Sequence, residues 1–291
     1  MRRILVVLGS LVALVLGATG AQAITWGEPD GNDHPHVVTL LFVQAGVGYY
    51  SCTGTLLDSD TVLTAGHCTG AVVDGALEPN DMTWVSNHTD PLADYAPGSP
   101  GGIAAYLAAS DHWVQGDAVP HPEYADYAQF PLTYDIGLVE LDGEIDTEGV
   151  YGELAPVGFL DDTYGKPKGA ARDRRVVVVG YGQQGTVPAF EQDDYIRYVG
   201  ESTIMGFGKS SYQSTQTVQL SNSPGKGNGS GGTCFGDSGG PAFWVDPATG
   251  EETNIVVAIT SYGITGQCAG TDFSFRTDIE TAHDFVNGDL G

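Results

Sequence analysis

The amino-acid sequence predicts an all-β protein of two halves that ends in a short α-helix. Apolar runs of strand length recur along the chain, and few stretches have the periodicity of an amphipathic helix. The 42 glycines fit turns between these runs better than disorder. An acidic segment that contains glycine, Asp142–Gly152, separates the runs into two groups. We therefore expect this segment to link the two halves.

The individual strands are predicted from runs rich in apolar and β-branched residues, bounded by glycine or polar turn residues. In the first half they are Val37–Val43, Tyr49–Leu57, Val62–Ala65 and Ile136–Leu141. In the second half they are Arg174–Tyr181, Tyr195–Ile204, Thr217–Leu220, Pro241–Val245 and Ile255–Tyr262. Residues 86–122 are richer in Pro, Gly, Ala and Asp and are expected to form long surface loops. The final helix is predicted from the helical spacing of Ile279, Ala282, His283 and Val286.

The first 23 residues are predicted to be a secretory signal peptide. Arg2 and Arg3 precede an almost wholly apolar run from Ile4 to Leu16, and the small-residue cleavage site Ala21-Gln22-Ala23 follows. The run is shorter than the roughly 20 residues that a membrane-spanning helix needs. Cleavage after Ala23 gives a secreted chain, residues 24–291, that begins at Ile24.

Charge and cysteine content restrict the possible partners. The chain has 37 acidic and 11 basic residues, so nucleic acid is an unexpected partner because binding phosphates requires clustered Lys and Arg. Anionic membrane surfaces are disfavoured for the same reason. All four cysteines lie in the exported part and predict two disulfides, and their spacing excludes a zinc knuckle. The acidic stretch Asp142–Glu148 lacks the ligand spacing of a known calcium loop, so no metal or cofactor is expected.

One motif imitates a nucleotide-binding site. The segment Gly180–Gly185 fits the G-x-G-x-x-G pattern after a strand. Dinucleotide binding requires these glycines to open a helix, but Pro188 and a strand-like stretch follow here. A strand that ends in a tight glycine turn is the expected structure.

The first chemically informative segment is Gly236-Asp237-Ser238-Gly239-Gly240. A serine hydroxyl needs a base to become a nucleophile, and its attack on a carbonyl creates an oxyanion that preorganised donors must meet. The backbone N–H groups of Gly236 and Ser238 are the candidate donors, and the adjacent glycines leave the backbone open to substrate. Taken alone, the segment is also compatible with an ordinary loop.

Two further segments supply a base and a group to orient it. His67 follows a predicted strand and adjoins Cys68, so a disulfide is expected to fix its backbone. Asp135 precedes an apolar strand, where a partly buried carboxylate is costly unless it is paired. Its functional interpretation is that Asp135 accepts the imidazole N–H of His67 and stabilises the imidazolium. A lone histidine or a turn aspartate is more often structural, so the interpretation depends on all three segments.

Together these segments resemble the active-site blocks of the chymotrypsin-like (trypsin-type) serine peptidases, in that family's order of His, Asp and Ser. The resemblance extends from Ile24 to about Val286. Its blocks are Ala65-Gly66-His67-Cys68, Asp135-Ile136-Gly137-Leu138 and Gly236-Asp237-Ser238-Gly239-Gly240-Pro241, with secondary matches at His121-Pro122-Glu123-Tyr124, Gly180-Tyr181-Gly182 and Ser261-Tyr262-Gly263.

The resemblance implies two packed six-stranded antiparallel β-barrels with the active site in the cleft between them. The N-terminal barrel is expected over about residues 24–145 and the C-terminal barrel over about 146–291. From spacing alone the four cysteines allow three pairings. The resemblance implies that Cys52 pairs with Cys68 and that Cys234 pairs with Cys268.

The resemblance also gives a role to the predicted new N-terminus. In this family a freed N-terminus folds inward and pairs with the aspartate before the catalytic serine, here Asp237. Ile24-Thr25-Trp26-Gly27 replaces the family's usual Ile-Val-Gly-Gly. Because Ala23 directly precedes Ile24, signal cleavage itself is expected to produce the active form. The alternative is that Ile24 only begins a strand.

Substrate specificity stays open at this point. Cleavage after Lys or Arg is usually set by an aspartate six residues before the serine, where this chain has Gly232, followed by Thr233. Ser261, Tyr262 and Gly263 are expected to form one wall of the specificity pocket. Asp272 is expected either on the far side of the pocket, where it would attract a basic side chain, or in a surface turn. Large apolar residues remain the alternative substrate class.

The sequence therefore predicts a secreted, monomeric serine endopeptidase that acts on proteins or peptides. A second hypothesis is a catalytically silent relative that uses the barrels for binding, although such proteins typically lack a member of the triad. A third is an esterase of another fold, since the serine segment also satisfies G-x-S-x-G. The chain order His, Asp, Ser and the β-rich pattern argue against that third hypothesis.

Overall fold

The computed structural model describes residues 23–44, 48–164, 174–185, 194–208, 210–223, 229 and 231–288. The predicted signal segment, apart from Ala23, lies outside these residues. The strands are β1 (Glu28–Pro29), β2 (Val37–Gln44), β3 (Gly48–Leu56), β4 (Thr61–Thr64), β5 (Gly70–Val73), β6 (Ala76–Pro79), β7 (Met82–Ser86), β8 (Val114–Pro120), β9 (Gly137–Leu141), β10 (Glu153–Leu154), β11 (Arg175–Gly180), β12 (Tyr198–Phe207), β13 (Thr217–Ser221), β14 (Pro241–Val245), β15 (Glu252–Gly263) and β16 (Thr271–Arg276). The helices are α1 (Ala23–Trp26, an irregular turn), α2 (Gly102–Ala109), α3 (Phe159–Tyr164) and α4 (Glu280–Val286), with a 3₁₀ turn at Gly66–Cys68.

The first barrel closes in the order β2-β3-β4-β9-β8-β7, with every neighbouring pair antiparallel. Side chains alternate between the two faces of a strand, and β2 shows the consequence. Val38, Leu40 and Phe42 belong to the buried cluster of the barrel. Leu41, on the opposite face, packs with Leu107 of α2. The strand is therefore covered on both faces and reads as a continuous apolar run.

The second barrel is the ring β12-β11-β14-β15-β16-β13, which closes where β13 pairs with β12. β1 extends this sheet beside β12, and β10 pairs with β15 in parallel. Val176 and Val178 of β11 lie in the core of this barrel. Val177 and Val179 face the other way and pack in a second cluster with Leu63 of the first barrel. That shared cluster holds the two barrels together and also receives Phe285 of α4.

The predicted two-barrel, all-β fold and its short C-terminal helix are confirmed. The prediction for residues 86–122 was wrong in part, because β8 is a barrel strand and α2 covers the first barrel. β8 carries Gly116, Asp117 and Pro120, which are poor strand formers, so its composition concealed it. β11 ends at Gly180 and pairs antiparallel with β12, so this glycine segment does not belong to a βαβ unit. The connection includes residues outside the described ones, so the tight turn stays a prediction. None of the helices among the described residues has the length and apolar character needed to cross a membrane.

Candidate active site

His67 is fixed by the turn that follows β4. A disulfide joins Cys68, the next residue, to Cys52 of β3, and the Asn80 side chain donates to the Cys68 carbonyl at 2.8 Å. Gly66 leaves no room for a side chain, since a Cβ there would lie 3.2 Å from the Ile136 carbonyl oxygen. The turn therefore packs against the chain beside Asp135, and the backbone of His67 has little freedom.

Asp135 is fully buried and pairs with His67 in two ways. His67 Nδ1 lies 3.0 Å from Asp135 Oδ2, and the His67 backbone N–H donates to Asp135 Oδ1 at 2.8 Å. The hydroxyls of Ser261 and Tyr127 also donate to Oδ2, the latter at 2.9 Å. The carboxylate is thus surrounded by donors, as a buried anion requires.

The pairing shifts the pKa of both groups. Burial favours the neutral form of Asp135, but the charge of His67 and the hydrogen bonds from His67 and Ser261 outweigh it and hold the pKa of the carboxyl below its usual range. Burial likewise opposes the charged form of His67, but the Asp135 carboxylate raises the pKa of the imidazole above 6.5. The pair therefore stabilises an imidazolium, which is the species a general base becomes after it takes a proton.

Ser238 reaches the same place from the second barrel. Its carbonyl oxygen accepts from the Thr53 backbone N–H at 2.8 Å, and the Thr53 hydroxyl donates to the Gly236 carbonyl at 2.9 Å. The half-buried Ser238 and His67 line the same two cavities of the cleft. No hydrogen bond joins their side chains in the described part of the chain; such contacts often tighten only when substrate binds.

The two predicted oxyanion donors are the backbone N–H groups of Gly236 and Ser238. Within the described residues, neither the Gly236 nor the Ser238 backbone N–H donates to another protein atom, while the Asp237 N–H between them donates to Cys234 O. Gly236 has a φ of 97°, and a Cβ there would lie 2.8 Å from Gly182 Cα. Glycine is required at position 236, because the positive φ favours glycine and a side chain would clash with Gly182.

Ile24 and Asp237 are both fully buried. The Thr25 backbone N–H donates to the Gly232 carbonyl at 2.8 Å, and the Gly232 N–H donates back at 3.2 Å. The Asp237 carboxylate accepts from the backbone N–H groups of Gly182 and Cys234, each at 2.8 Å. The segment that begins at Ile24 therefore lies against the loop that carries Asp237 and Ser238.

A cavity of about 470 Å³ opens beside Ser238. Its lining includes Thr233, Ser261, Tyr262, Gly263 and Asp272, and the Cys234–Cys268 disulfide borders it.

Asp272 lies in β16 with 3% exposure, not in a surface turn, and it accepts a hydrogen bond from the Thr233 hydroxyl through Oδ2. Its Oδ1 has no hydrogen-bond partner in the described part of the chain. Burial raises its pKa to about 7.

Gly232 is not part of this lining. Its backbone pairs with Thr25, and a Cβ at Gly232 would lie 2.1 Å from Asn222 Oδ1. Asn222 therefore occupies the space of a side chain at 232 and lines the cavity in its place. Its amide donates to the Thr233 carbonyl at 2.8 Å, which fixes its orientation.

A second cavity of about 760 Å³ lies on the other side of His67 and Ser238. Aromatic side chains from both barrels border it, namely Phe42, Tyr49, Tyr50, Tyr124, Tyr127, Tyr181, Tyr195 and Phe235. Two cavities therefore adjoin the serine, and both are lined in part by His67 and Ser238.

Sequence reasoning did not identify Tyr127 or Asn222 as site residues, and it placed Ser261 only in the pocket wall. No local motif marks Tyr127, which reaches the site from an irregular loop. Ser261 lines the cavity and also donates to Asp135, so it serves two parts of the site.

Comparisons with known proteins agree with this geometry. The sequence model of the family described as Trypsin matches residues 24–286. A trypsin from Saccharopolyspora erythraea is 27% identical over 251 residues, covering 81% of this chain and 86% of that protein. The solved structure of HL collagenase has a TM-score of 0.62 at 17% identity, covering 92% of this chain and 99% of that one. A thermostable serine protease from an extremophilic microorganism has a TM-score of 0.55 at 19% identity, covering 89% and 98%.

Proposed function

Because the chain belongs to the trypsin family of serine peptidases, we propose that it is a secreted endopeptidase that acts as a monomer on proteins or peptides, without cofactor or metal. The observation that carries the proposal is the buried pairing of His67 with Asp135 at the edge of the cavities that Ser238 also lines. A histidine held in this way is a base whose charged form is already stabilised.

In the proposed reaction, Nε2 of neutral His67 takes the hydroxyl proton of Ser238 while Oγ attacks the carbonyl carbon of the scissile bond. The resulting oxyanion accepts hydrogen bonds from the Gly236 and Ser238 N–H groups. The imidazolium gives its proton to the leaving nitrogen, the C–N bond breaks, and an acyl-enzyme remains. Water then repeats the sequence and releases the carboxylic acid and the free serine.

We also propose that cleavage after Ala23 activates the chain directly. The new ammonium of Ile24 would pair with Asp237, whose loop carries the oxyanion donors. The burial of Ile24 and the Thr25–Gly232 pairing support this proposal, because both place the start of the mature chain beside that loop. A buried carboxylate without a partner charge is strongly destabilising, so the Ile24 ammonium would stabilise the loop that carries Asp237.

For the substrate we propose a basic residue on the N-terminal side of the cleaved bond. Asp272 faces the cavity from β16, and its Oδ1 lacks a partner within the described residues. A Lys or Arg side chain in the cavity would pair with this carboxylate. Asp272 would then replace the aspartate that the chain lacks at Gly232.

The test is the intact mass of the secreted protein before and after a fluorophosphonate probe, with Ser238→Ala as the matched control. We expect a starting mass of residues 24–291 less four hydrogens, and one adduct that the alanine variant lacks. An extra residue placed before Ile24 should reduce labelling, because it displaces the ammonium.

Each other outcome contradicts a separate part of the proposal. A correct starting mass without an adduct would favour the catalytically silent binding protein. A longer starting mass that is labelled only after trimming to Ile24 would show a zymogen stage. Full labelling with an extra N-terminal residue would contradict the role of the Ile24 ammonium.

A further inference from the structure

The side chain of Tyr127 reaches the centre of the site from the loop between β8 and β9. Its hydroxyl donates to Asp135 Oδ2 at 2.9 Å. The same oxygen lies 3.3 Å from His67 Nδ1 and 3.5 Å from the Ser261 carbonyl oxygen. One phenol thus contacts the acid, the base and the strand end that borders the specificity pocket.

We propose that Tyr127 is a positioning residue, whose hydroxyl holds the Asp135 carboxylate and shares the negative charge that this carboxylate offers to His67. The proposal rests on the proposed function, since it assigns a role in the same reaction. Tyr127 acts through Asp135 and His67 and makes no bond to the reacting atoms.

The hydrogen bonds of Asp135 show why the hydroxyl matters. Oδ1 accepts from the His67 backbone, whereas Oδ2 accepts from His67 Nδ1, the Ser261 hydroxyl and the Tyr127 hydroxyl. Each added donor draws negative charge away from the side of the carboxylate that faces the imidazole. Tyr127 therefore weakens the hold of Asp135 on the imidazolium while it fixes the orientation of the carboxylate.

The backbone of this loop adopts an uncommon conformation to bring Tyr127 there. Asp126 and Tyr127 have φ values of 47° and 59°, in the left-handed region that non-glycine residues seldom occupy. Such a conformation persists where the surroundings determine it, and it concentrates at functional sites. Here the Tyr127 ring packs edge-on against Tyr262 at 5.9 Å and against Tyr124 at 6.2 Å.

The Tyr127 hydroxyl stays protonated, so it remains a hydrogen-bond donor to Asp135. Burial and the charge of Asp135 raise the pKa of Tyr127 far above its ordinary value, so the hydroxyl keeps its proton. Tyr124, the other titratable group beside Asp135 from this loop, also stays neutral because burial and that charge raise its pKa. The charged groups that act on His67 are Asp135 and Asp126.

The first experiment compares the pH profile of kcat/KM for Tyr127→Phe with that of Tyr134→Phe. Tyr134 is in the same loop, but its hydroxyl faces Glu123 rather than the triad. For Tyr127→Phe we expect a loss in kcat of about tenfold with KM within about twofold, because a hydrogen bond to a charged group is lost. The acid limb should move to higher pH by about half a unit, because His67 binds its proton more tightly. Tyr134→Phe should match the wild type.

A second measurement needs no activity. In the Ser238→Ala background, the pKa of His67 is followed by NMR with and without Tyr127→Phe, and the signal is assigned by its loss in His67→Asn. We expect Tyr127→Phe to raise this pKa. Replacing Tyr127 by 3-fluorotyrosine keeps the ring and strengthens the donor, and should lower it.

The outcomes separate this inference from the proposed function. An unchanged pKa of His67 in Tyr127→Phe overturns the role of Tyr127, whether or not the enzyme is active. A fall in kcat with an unmoved acid limb, or an equal fall in Tyr134→Phe, would show a merely structural role. A wild-type protein that neither reacts with the probe nor cleaves peptides, yet shows the expected shift by NMR, would overturn only the proposed function.

Discussion

Asp272 is a buried carboxyl whose charged form is opposed by its surroundings. Burial raises its pKa to about 7, and the hydrogen bond from the Thr233 hydroxyl offsets only part of that effect. The pocket therefore changes from neutral to anionic across neutral pH. Because the carboxylate faces the cavity, this change alters what the cavity binds best.

We predict that the preference for a basic over an aromatic side chain increases with pH. The measured quantity is the ratio of kcat/KM for two peptides that differ only in having Arg or Phe before the cleaved bond. His67 must be neutral for both peptides, so its titration cancels in the ratio. With a pKa near 7, the ratio should rise about tenfold between pH 6 and pH 8.

The control is Asp272→Asn, which keeps the shape and removes the charge. Its ratio should be lower and independent of pH. The folded pKa of Asp272 lies above the unfolded value of 3.8, so ionisation costs stability as pH rises from about 4 to 7. The variant should therefore be more stable than wild type at pH 8 and equally stable at pH 4. A wild-type ratio that does not change with pH would contradict this assignment.

At the residue scale, sequence analysis could predict those candidate site residues that lie in short, recognisable motifs. His67 beside a cysteine and Ser238 between glycines stand in short contiguous blocks. Tyr127 and Asn222 have no such neighbours, because each reaches the site only through its side chain from a separate loop. Their roles depend on where those loops pack, which local sequence does not encode.

At the scale of secondary-structure elements, the segment between β1 and β2 is held in place by hydrogen bonds from Arg197. The buried Arg197 guanidinium donates to Asp30 Oδ2 at 2.7 Å and to Asn32 Oδ1 at 2.9 Å in this segment. It also donates to the carbonyls of Val37 and Asn87 in the first barrel. One side chain therefore joins the segment between β1 and β2 to both barrels.

We predict that Arg197→Met destabilises the protein by about 3 kcal/mol, because it removes one of the two cationic partners of the buried Asp30 carboxylate, the other being His34, and also the hydrogen bonds to the Val37 and Asn87 carbonyls. The measurement is the free energy of unfolding in urea. Arg175→Met is the matched control, since Arg175 pairs with Glu201 at 2.7 Å in a half-exposed setting. Its loss should cost about 1 kcal/mol or less. Equal decreases in the free energy of unfolding of the two variants would contradict the conclusion that the buried Arg197 holds this segment in place.

Strand prediction succeeded where a strand is a continuous apolar run and failed where polar or poor strand-forming residues interrupt it. β2 and β11 are continuous apolar runs because each lies between a barrel core and a second layer. β8 carries exposed Gln115 and Asp117, and β16 buries Asp272, Ser274 and Arg276, so neither resembles a typical strand. The prediction of two closed barrels came from the family resemblance, because strand propensity indicates where strands lie but not how they pair.

At the scale of the whole molecule, the proposed catalysis depends on the contact between the barrels. His67 and Asp135 belong to the first barrel and Ser238 to the second, and Thr53 hydrogen-bonds across the contact. The shared apolar cluster supplies the packing that keeps this arrangement. A shift of one barrel against the other would separate the base from the nucleophile.

The net charge of −26 opposes this compact state through self-repulsion. We predict that the midpoint of thermal unfolding at pH 7 rises with ionic strength, with most of the change below about 0.2 M, since the screening length is then under about 10 Å. Sodium and potassium chloride should act alike if screening is the cause. Near the isoelectric point of about 4.2 the salt effect should vanish. A midpoint that is insensitive to salt at pH 7 would contradict the prediction.

The pairing of β1 with β12 joins segments of the chain that are synthesised at very different times. Glu28 and Pro29 pair with Val199 and Tyr198, which the ribosome adds long after them. Ser238 follows later still, and its loop lies against the start of the chain through Gly232 and Thr25. A partly made chain thus holds the base and the acid but neither the nucleophile nor the partners of its own beginning. If the chain has the proposed function, its active site can therefore assemble only after most of the chain has been synthesised.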